Sequence, residues 1–313
     1  MHKIRRSVYK MRKTTHMGKR RSLERTINGF LTVVIVVVLL PIFIATFLGR
    51  IEVEELILNY SDTQISEIET SLPGIVAKQI GISMPGECIK AQAVIARTNL
   101  LAAEKAGQAK PEGFQTSELQ ELWGAEYENY YKRLQELIAE TTGETLQYNG
   151  DYIYAAYHQA SAGNTRNMTE YAGSGKMPYL ASTACHEDVT SEGYLNVYFW
   201  TKEDFLNLFK NLFPEEVLNS GADVQVLSRD SAGYVLQVQV GQTIWDGEEF
   251  RKRLSLPSAC FELSLIEDDV RIVTMGNGHG FGLSQHTAEK MAEAGCSYQE
   301  ILEYFYKGAI LTE

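Results

Sequence analysis

Three short stretches carry side chains able to do chemistry. In MPGECIKAQAVIARTNL, Glu87 stands at the start of a helical pattern, where free backbone amides and the helix dipole favour an anion. The same residue could be a plain N-terminal capping carboxylate, and Lys90 and Arg97 on that helix could be ordinary exposed charges. In YHQASAGNTRN (157–167), His158 ends a strand and small polar residues follow, with Ser161 inside the run. Backbone beside small side chains can approach a ligand closely, and Arg166 could reach an anion. The alternative there is an ordinary turn holding one structural histidine. In GNGHGFGLSQH (276–286), a glycine-rich loop enters a helix and could turn His279, Ser284 and Gln285 toward a groove.

Other chemistries find less support. The glycine loop lacks the Lys-Ser/Thr pair of a phosphate cradle and the parallel βαβ setting that GxGxxG requires. No GxSxG elbow supports a nucleophilic serine. His158, Cys185 and His186 lack a compact ligand spacing, so neither a metal nor any other cofactor is expected. The four cysteines, Cys88, Cys185, Cys260 and Cys296, are spread out and form no CxxC pair. Cys88 and Cys260 have apolar neighbours and read as small buried hydrophobes.

The elements that must position these residues follow from periodicity. A helical pattern covers about 67–79 and breaks at SMPGE. A second starts near Pro85, with Ile89, Ala93, Ala96 and Leu100 forming one buried stripe. SELQELWGAEYENYYKRLQELIAETTG is helical and ends at Gly143. Asn149-Gly150 between alternating runs marks a hairpin. The stretch 161–196 is turn-rich, and FWTKEDFLNLFKNLF is an amphipathic helix. Residues 222–254 read as two strands, a turn and a short helix. From 261 onward the chain reads strand, hairpin, strand, glycine loop and helix, closed by a last helix and a strand-like end. The fold class is α+β, with mixed, mostly antiparallel sheets and helices.

Phe30 to Leu48 run nineteen residues without a charge, about the ~20 that span a hydrocarbon core. Residues 1–26 hold ten Lys or Arg against Glu24 alone, which orients the N-terminus to the cytosol. The expected organisation is a basic cytosolic arm (1–27), a transmembrane helix (28–48), a juxtamembrane linker (49–61) and an extracytoplasmic domain (62–313). Residues 27–313 carry 19 basic and 39 acidic side chains. Such a domain does not bind anionic polymers through bulk charge, so nucleic acid is not an expected partner.

In their order, MPGECIKAQAVIARTNLLAA, YHQASAGNTRN followed by PYLAS, and GHGFGLSQHTAEKMAEAG with ILEYFYKGAIL resemble the stage II sporulation protein D family. The resemblance covers about residues 52–313. It implies a single-pass membrane protein of the mother cell, facing the septal and forespore wall. The implied enzyme is a lytic transglycosylase that cuts the MurNAc–GlcNAc β-1,4 bond of peptide-stripped peptidoglycan during engulfment.

The resemblance gives Glu87 the part of general acid and base, in an apolar cleft. It assigns Arg97, His158, Ser161, Arg166, His279, Ser284 and Gln285 to glycan binding or cleft support. The implied partners are glycan strands, an amidase and a membrane scaffold, the stage II sporulation proteins P and M. Other members resemble an enhancer of cell-wall amidases, which leaves a non-catalytic glycan-binding module as the alternative. Some members carry a zinc site after the catalytic helix. With no Cys or His between Ile89 and Tyr157, that part of this chain relies on packing, with Trp123 and the Tyr127–Tyr131 cluster as candidates.

Overall fold

The computed structural model describes residues 67–312. The basic arm, the apolar span and the linker expected before them lie outside the described residues. Among the described residues no helix is long and apolar enough to cross a membrane.

Helix α1 is helical from the first described residue, 67, and ends at 79 as expected. Helix α2 (Gly86–Lys105) follows, with Pro85 as its N-cap rather than inside its first turn. The expected stripe is buried, Ile89, Ala93 and Ala96 at 0% exposure and Leu100 at 3%, but so are Cys88, Ala91, Val94 and Ile95. The helix is thus enclosed on most sides, because α4 (Tyr127–Ala139), α8 (Gln285–Glu293), α9 (Tyr298–Phe305) and β1 (Thr145–Tyr148) all pack on it. Each fully buried Ile or Leu side chain contributes roughly 1.5–3 kcal/mol. Helix α2 is therefore the spine of the first core.

The single helix expected over 117–143 is broken. Helix α3 (Thr116–Trp123) ends in a 3₁₀ turn, Gly124–Glu126, before α4 begins. Gly124 has φ 49°, which a helix interior does not accommodate. Trp123 lies edge-on to Tyr130 at 5.9 Å, and Tyr127 stacks on Tyr131 at 5.4 Å. These rings pack against one another in the segment after α2.

Asn149 (φ 54°) and Gly150 (φ 83°) turn β1 into β2 (Asp151–Tyr152), and β11 (Ile310–Thr312) pairs with the other edge of β1. Strand β3 (Tyr157–His158) pairs in parallel with β10 (Leu283–Ser284), the register being Leu283 with Tyr157 and Ser284 with His158. That two-residue ladder joins the second and third sequence stretches. A short helix α5 (Met168–Ala172) and a 3₁₀ turn (His186–Thr190) occupy the turn-rich stretch.

A second core lies between two three-stranded antiparallel sheets. One has the order β4-β9-β8, from β4 (Leu195–Trp200), β8 (Phe261–Ile266) and β9 (Asp269–Met275). The other has the order β5-β6-β7, from β5 (Val224–Arg229), β6 (Val235–Val240) and β7 (Thr243–Asp246). Phe199 and Trp200, expected to open a helix, end β4. Helix α6 begins at Lys202, where Thr201 Oγ1 accepts from Asp204 N at 3.2 Å. Phe205, Phe209 and Phe213 line its buried face together with Phe250 of α7 (Gly247–Arg253). Strand β7 goes beyond the two strands expected in that region. Its sequence, TIWD, is too short for a period to show.

Candidate functional site

Glu87 projects from the first turn of α2 with its side chain 32% exposed. Its surroundings differ from the apolar cleft expected of a general acid. Oε1 lies 2.7 Å from Lys90 Nζ, and Oε2 accepts the backbone amide of Tyr298, the first residue of α9, at 2.8 Å. Two helix N-termini thus converge on one carboxylate. Lys90 also reaches Glu140 Oε2 at 2.6 Å, where α4 ends. These two hydrogen bonds, that to Glu140 first and that to Glu87 second, hold the Lys90 ammonium above its ordinary pKa. Tyr298 Oη donates to Glu144 Oε1 at 2.9 Å.

Arg97, three turns further along α2, points elsewhere. It is 2% exposed and grips Glu69 with Nε to Oε1 at 2.6 Å and Nη2 to Oε2 at 2.9 Å. Its Nη1 donates to the Glu144 carbonyl at 3.0 Å. This forked pair ties α1, α2 and the start of β1 together.

The polar residues of the other two stretches form an interior lattice. Ser161 and Ser284, both fully buried, donate to Asp188, as does Thr287 Oγ1 at 2.7 Å from Oδ1. Arg166 is fully buried with Nε 2.6 Å from Asp230 and Nη1 2.8 Å from Glu248. Its guanidinium lies 4.5 Å from the Phe281 ring centroid and 4.9 Å from that of Tyr234. His158 sits beside His279, ring centroids 5.7 Å apart. The loop-side ring, His279, accepts the Phe281 amide at Nδ1, and His158 Nδ1 lies 3.1 Å from the Phe281 carbonyl. Burial pushes His158 down to about 4 and His279 down to about 3, the latter helped by His158, Arg251 and Arg166. Both rings are neutral at ordinary pH.

Gln285 alone of the expected polar set lines the large surface groove, about 650 Å³. That groove runs past Gln79 on α1, Ser83 and Met84 in the loop leading to Glu87, Gln159 after β3, and His286 and Glu289 on α8. Gln285 Nε2 donates to the Gln79 carbonyl at 2.8 Å and to Gln92 Oε1 at 3.2 Å, which links the α8 N-terminus to α2.

The structure therefore joins Ser161 with Ser284, and His158 with His279 and Arg166. It leaves Glu87 and Arg97 apart from both groups. Sequence reasoning missed Asp188, Asp230 and Glu248, whose partners are distant in the chain. Gln92 had left a signal, being one of three polar residues, with Arg97 and Thr98, at the mostly apolar buried positions of α2. Among the described residues no three His, Cys, Asp or Glu side chains cluster as metal ligands would. Cys185 is 1% exposed, its thiol pushed up to about 11 by burial.

An α+β domain with an acid at a helix start, and a glycine loop braced on a buried carboxylate, is the class these features define. The family model described as Stage II sporulation protein matches residues 59–148. Stage II sporulation protein D of Bacillus subtilis (strain 168) is 31% identical over 263 residues, covering 79% of this chain and 74% of that relative. Its counterpart in Bacillus amyloliquefaciens is 30% identical over 262 residues, with the same coverage. The amidase enhancer of Bacillus subtilis (strain 168) is 25% identical over 291 residues, covering 77% of this chain and 40% of that protein. The chain belongs to the stage II sporulation protein D family, and its role is in sporulation.

Proposed function

We propose that this chain is a membrane-anchored lytic transglycosylase of engulfment, cutting the MurNAc–GlcNAc β-1,4 bond of peptide-stripped glycan with Glu87 as its acid and base. The Glu87 carboxyl gives its proton to the glycosidic oxygen as the C1–O4 bond breaks, the bonding pair leaving with that oxygen. The carboxylate then takes the proton of the C6 hydroxyl while O6 bonds to C1. The product is a 1,6-anhydro end, and no water is consumed. One carboxyl group suffices, unlike the paired acids of ordinary glycosidases.

The observation that carries this reading is the placement of Glu87. Among the expected site residues it is the one carboxyl group, it is partly exposed, and the three residues before it lead into the groove wall at Met84. Of the other seven, Gln285 lines the groove and the remaining six support the fold behind it. The glycan strand is the substrate, the anchor faces the septal wall, and an amidase and a membrane scaffold act beside it.

A second reading keeps the groove and drops the chemistry. In this reading the chain binds glycan and activates a partner amidase, and the relative named an amidase enhancer supports the second part. Digestion of purified peptide-free glycan by the full chain, wild type beside Glu87→Gln, with products weighed by mass spectrometry, separates the two. Anhydro ends from the wild type alone are expected. Binding by both proteins with cleavage by neither favours the amidase-activating module.

A further inference from the structure

Lys90 has two acceptors. Its ammonium is 2.7 Å from Glu87 Oε1 and 2.6 Å from Glu140 Oε2, on a side chain 14% exposed. Glu87 Oε2 is held by the Tyr298 amide at 2.8 Å. Both Glu87 oxygens therefore face donors, one of them charged, which is the arrangement of an ionised carboxylate. A carboxyl group about to give up a proton must carry it on one oxygen, and that oxygen cannot keep facing an ammonium.

The two contacts differ in what they can do about this. The Tyr298 amide is fixed by the fold of α9. The Lys90 ammonium sits on a chain of four methylenes and already touches its other seat.

We propose that Lys90 is a positioning residue that moves between Glu87 and Glu140 during the reaction, so that Glu140 sets how readily Glu87 holds its proton. Lys90 leaves for Glu140 while Glu87 is the acid and returns when Glu87 is the carboxylate. It keeps its three protons throughout and forms no bond to sugar. The inference rests on Glu87 being the acid and base.

The other charged groups around Glu87 do not compete for this part. Arg133 of α4 donates to the Met84 carbonyl at 3.0 Å. Glu144 takes the Tyr298 hydroxyl at 2.9 Å. Glu289 and Glu293 of α8 act on the thiol of Cys88, beside Glu87, and like Glu140 they are acids. Among the described residues Lys90 is the one cation in ion-pair contact with Glu87.

The test is the pH dependence of anhydro-sugar release from peptide-free glycan strands by the full chain and its variants. In Glu140→Gln the ammonium has only Glu87, so the alkaline limb should move to lower pH by about half a unit or more. In Lys90→Met the cation is gone, so the same limb should move to higher pH with a lower maximal rate. Opposite shifts are the expected result, and a side chain that merely supports the fold would not produce them. Unmoved limbs, or limbs moving the same way, in proteins that still cut would overturn the proposal while leaving Glu87 in place. If Lys90→Met is too slow to titrate, Glu140→Gln decides alone, since Glu140 is 56% exposed and its change leaves the fold intact. A wild type that releases no anhydro ends, or a Glu87→Gln that releases them as the wild type does, removes the Glu87 reading and this proposal with it, whereas limbs that fail to move apart in proteins that cut through Glu87 remove this proposal alone.

Discussion

Ser161 and Ser284 meet on one oxygen atom: their hydroxyls lie 2.7 and 2.8 Å from Asp188 Oδ2. The Ser161 amide at 2.5 Å and the Thr287 hydroxyl on Oδ1 complete the set. A fully buried carboxylate with four neutral donor groups and, among the described residues, no cation in ion-pair contact is held by those donors.

Removing that carboxylate strands several buried donors at once. Asp188→Ala is expected to destabilise the domain by about 3 kcal/mol or more, since each buried group left unpaired costs ~1–3 kcal/mol. Ser161→Ala removes one donor only and should cost about 1 kcal/mol. Urea unfolding of the two variants beside the wild type measures the difference, and equal losses would mean that Asp188 is not the hub.

Arg166 and Arg97 were read from the sequence as residues that touch or support the cleft, and both are buried in ion pairs. Removing Arg166 leaves two buried carboxylates, Asp230 and Glu248, at a cost of ~3–5 kcal/mol, whereas removing Arg97 leaves Glu69, whose side chain is 20% exposed. Arg166→Met should lower the urea midpoint steeply and Arg97→Met by less, while the fraction that remains folded binds glycan as the wild type does. Binding lost at full stability would place the guanidinium on the ligand instead.

How far the sequence reached is visible in these residues. Helix α1, helix α2 and the Asn149-Gly150 hairpin were legible because period and turn chemistry are local. The partnership of Ser161, Ser284 and Asp188 was not, because it arises only when β3 and β10 pair across more than a hundred residues. The glycine loop was legible as special, but its purpose was misjudged. Its glycines admit neighbouring backbone and rings, and Ser284 turns inward to Asp188 while Gln285 and His286 reach the groove.

The neutral histidine pair gives the fold an acid sensitivity above the carboxylate range. His158 is held down at about 4 and His279 at about 3, chiefly by burial, while the unfolded chain takes up protons near ~6.5. For a base with a depressed folded value, stability is complete above the unfolded value and is lost as pH falls toward the folded one. His158 alone should remove ~1.4 kcal/mol for each unit below about pH 6. Urea midpoints between pH 6.5 and 5 should therefore decline, and the decline should flatten in His158→Gln. An equal slope in the variant would place the protons elsewhere.

The four cysteines should divide by burial. Burial pushes the Cys88 thiol up to about 12 and those of Cys185 and Cys260 up to about 11, whereas Cys296 is partly exposed. Iodoacetamide at pH 8 on the native chain is expected to add one label, at Cys296, and four in urea, as counted by mass spectrometry. A native label on Cys88 would show that the start of α2, and Glu87 with it, opens on the labelling timescale.

The glycine loop offers a comparison in which backbone strain and steric clash separate. Gly282 has φ 69°, and a Cβ there would lie 1.9 Å from the Ala156 carbonyl oxygen. Gly278 has φ 113°, and its Cβ would fall 2.6 Å from that of His158. Gly295, at the end of α8, has φ 93° with nothing within 4 Å. Alanine at Gly295 therefore meets only the left-handed backbone cost, ~1–2 kcal/mol. Alanine at Gly282 adds a clash with backbone that cannot withdraw, because the Ala156 carbonyl also accepts the Leu283 amide at 3.0 Å and the Tyr306 hydroxyl at 2.7 Å. Gly282→Ala should lose well over twice what Gly295→Ala loses in urea unfolding, with Gly278→Ala between them or close to Gly282→Ala. Similar losses at all three positions would mean that the loop yields and that the β3–β10 ladder does not fix it.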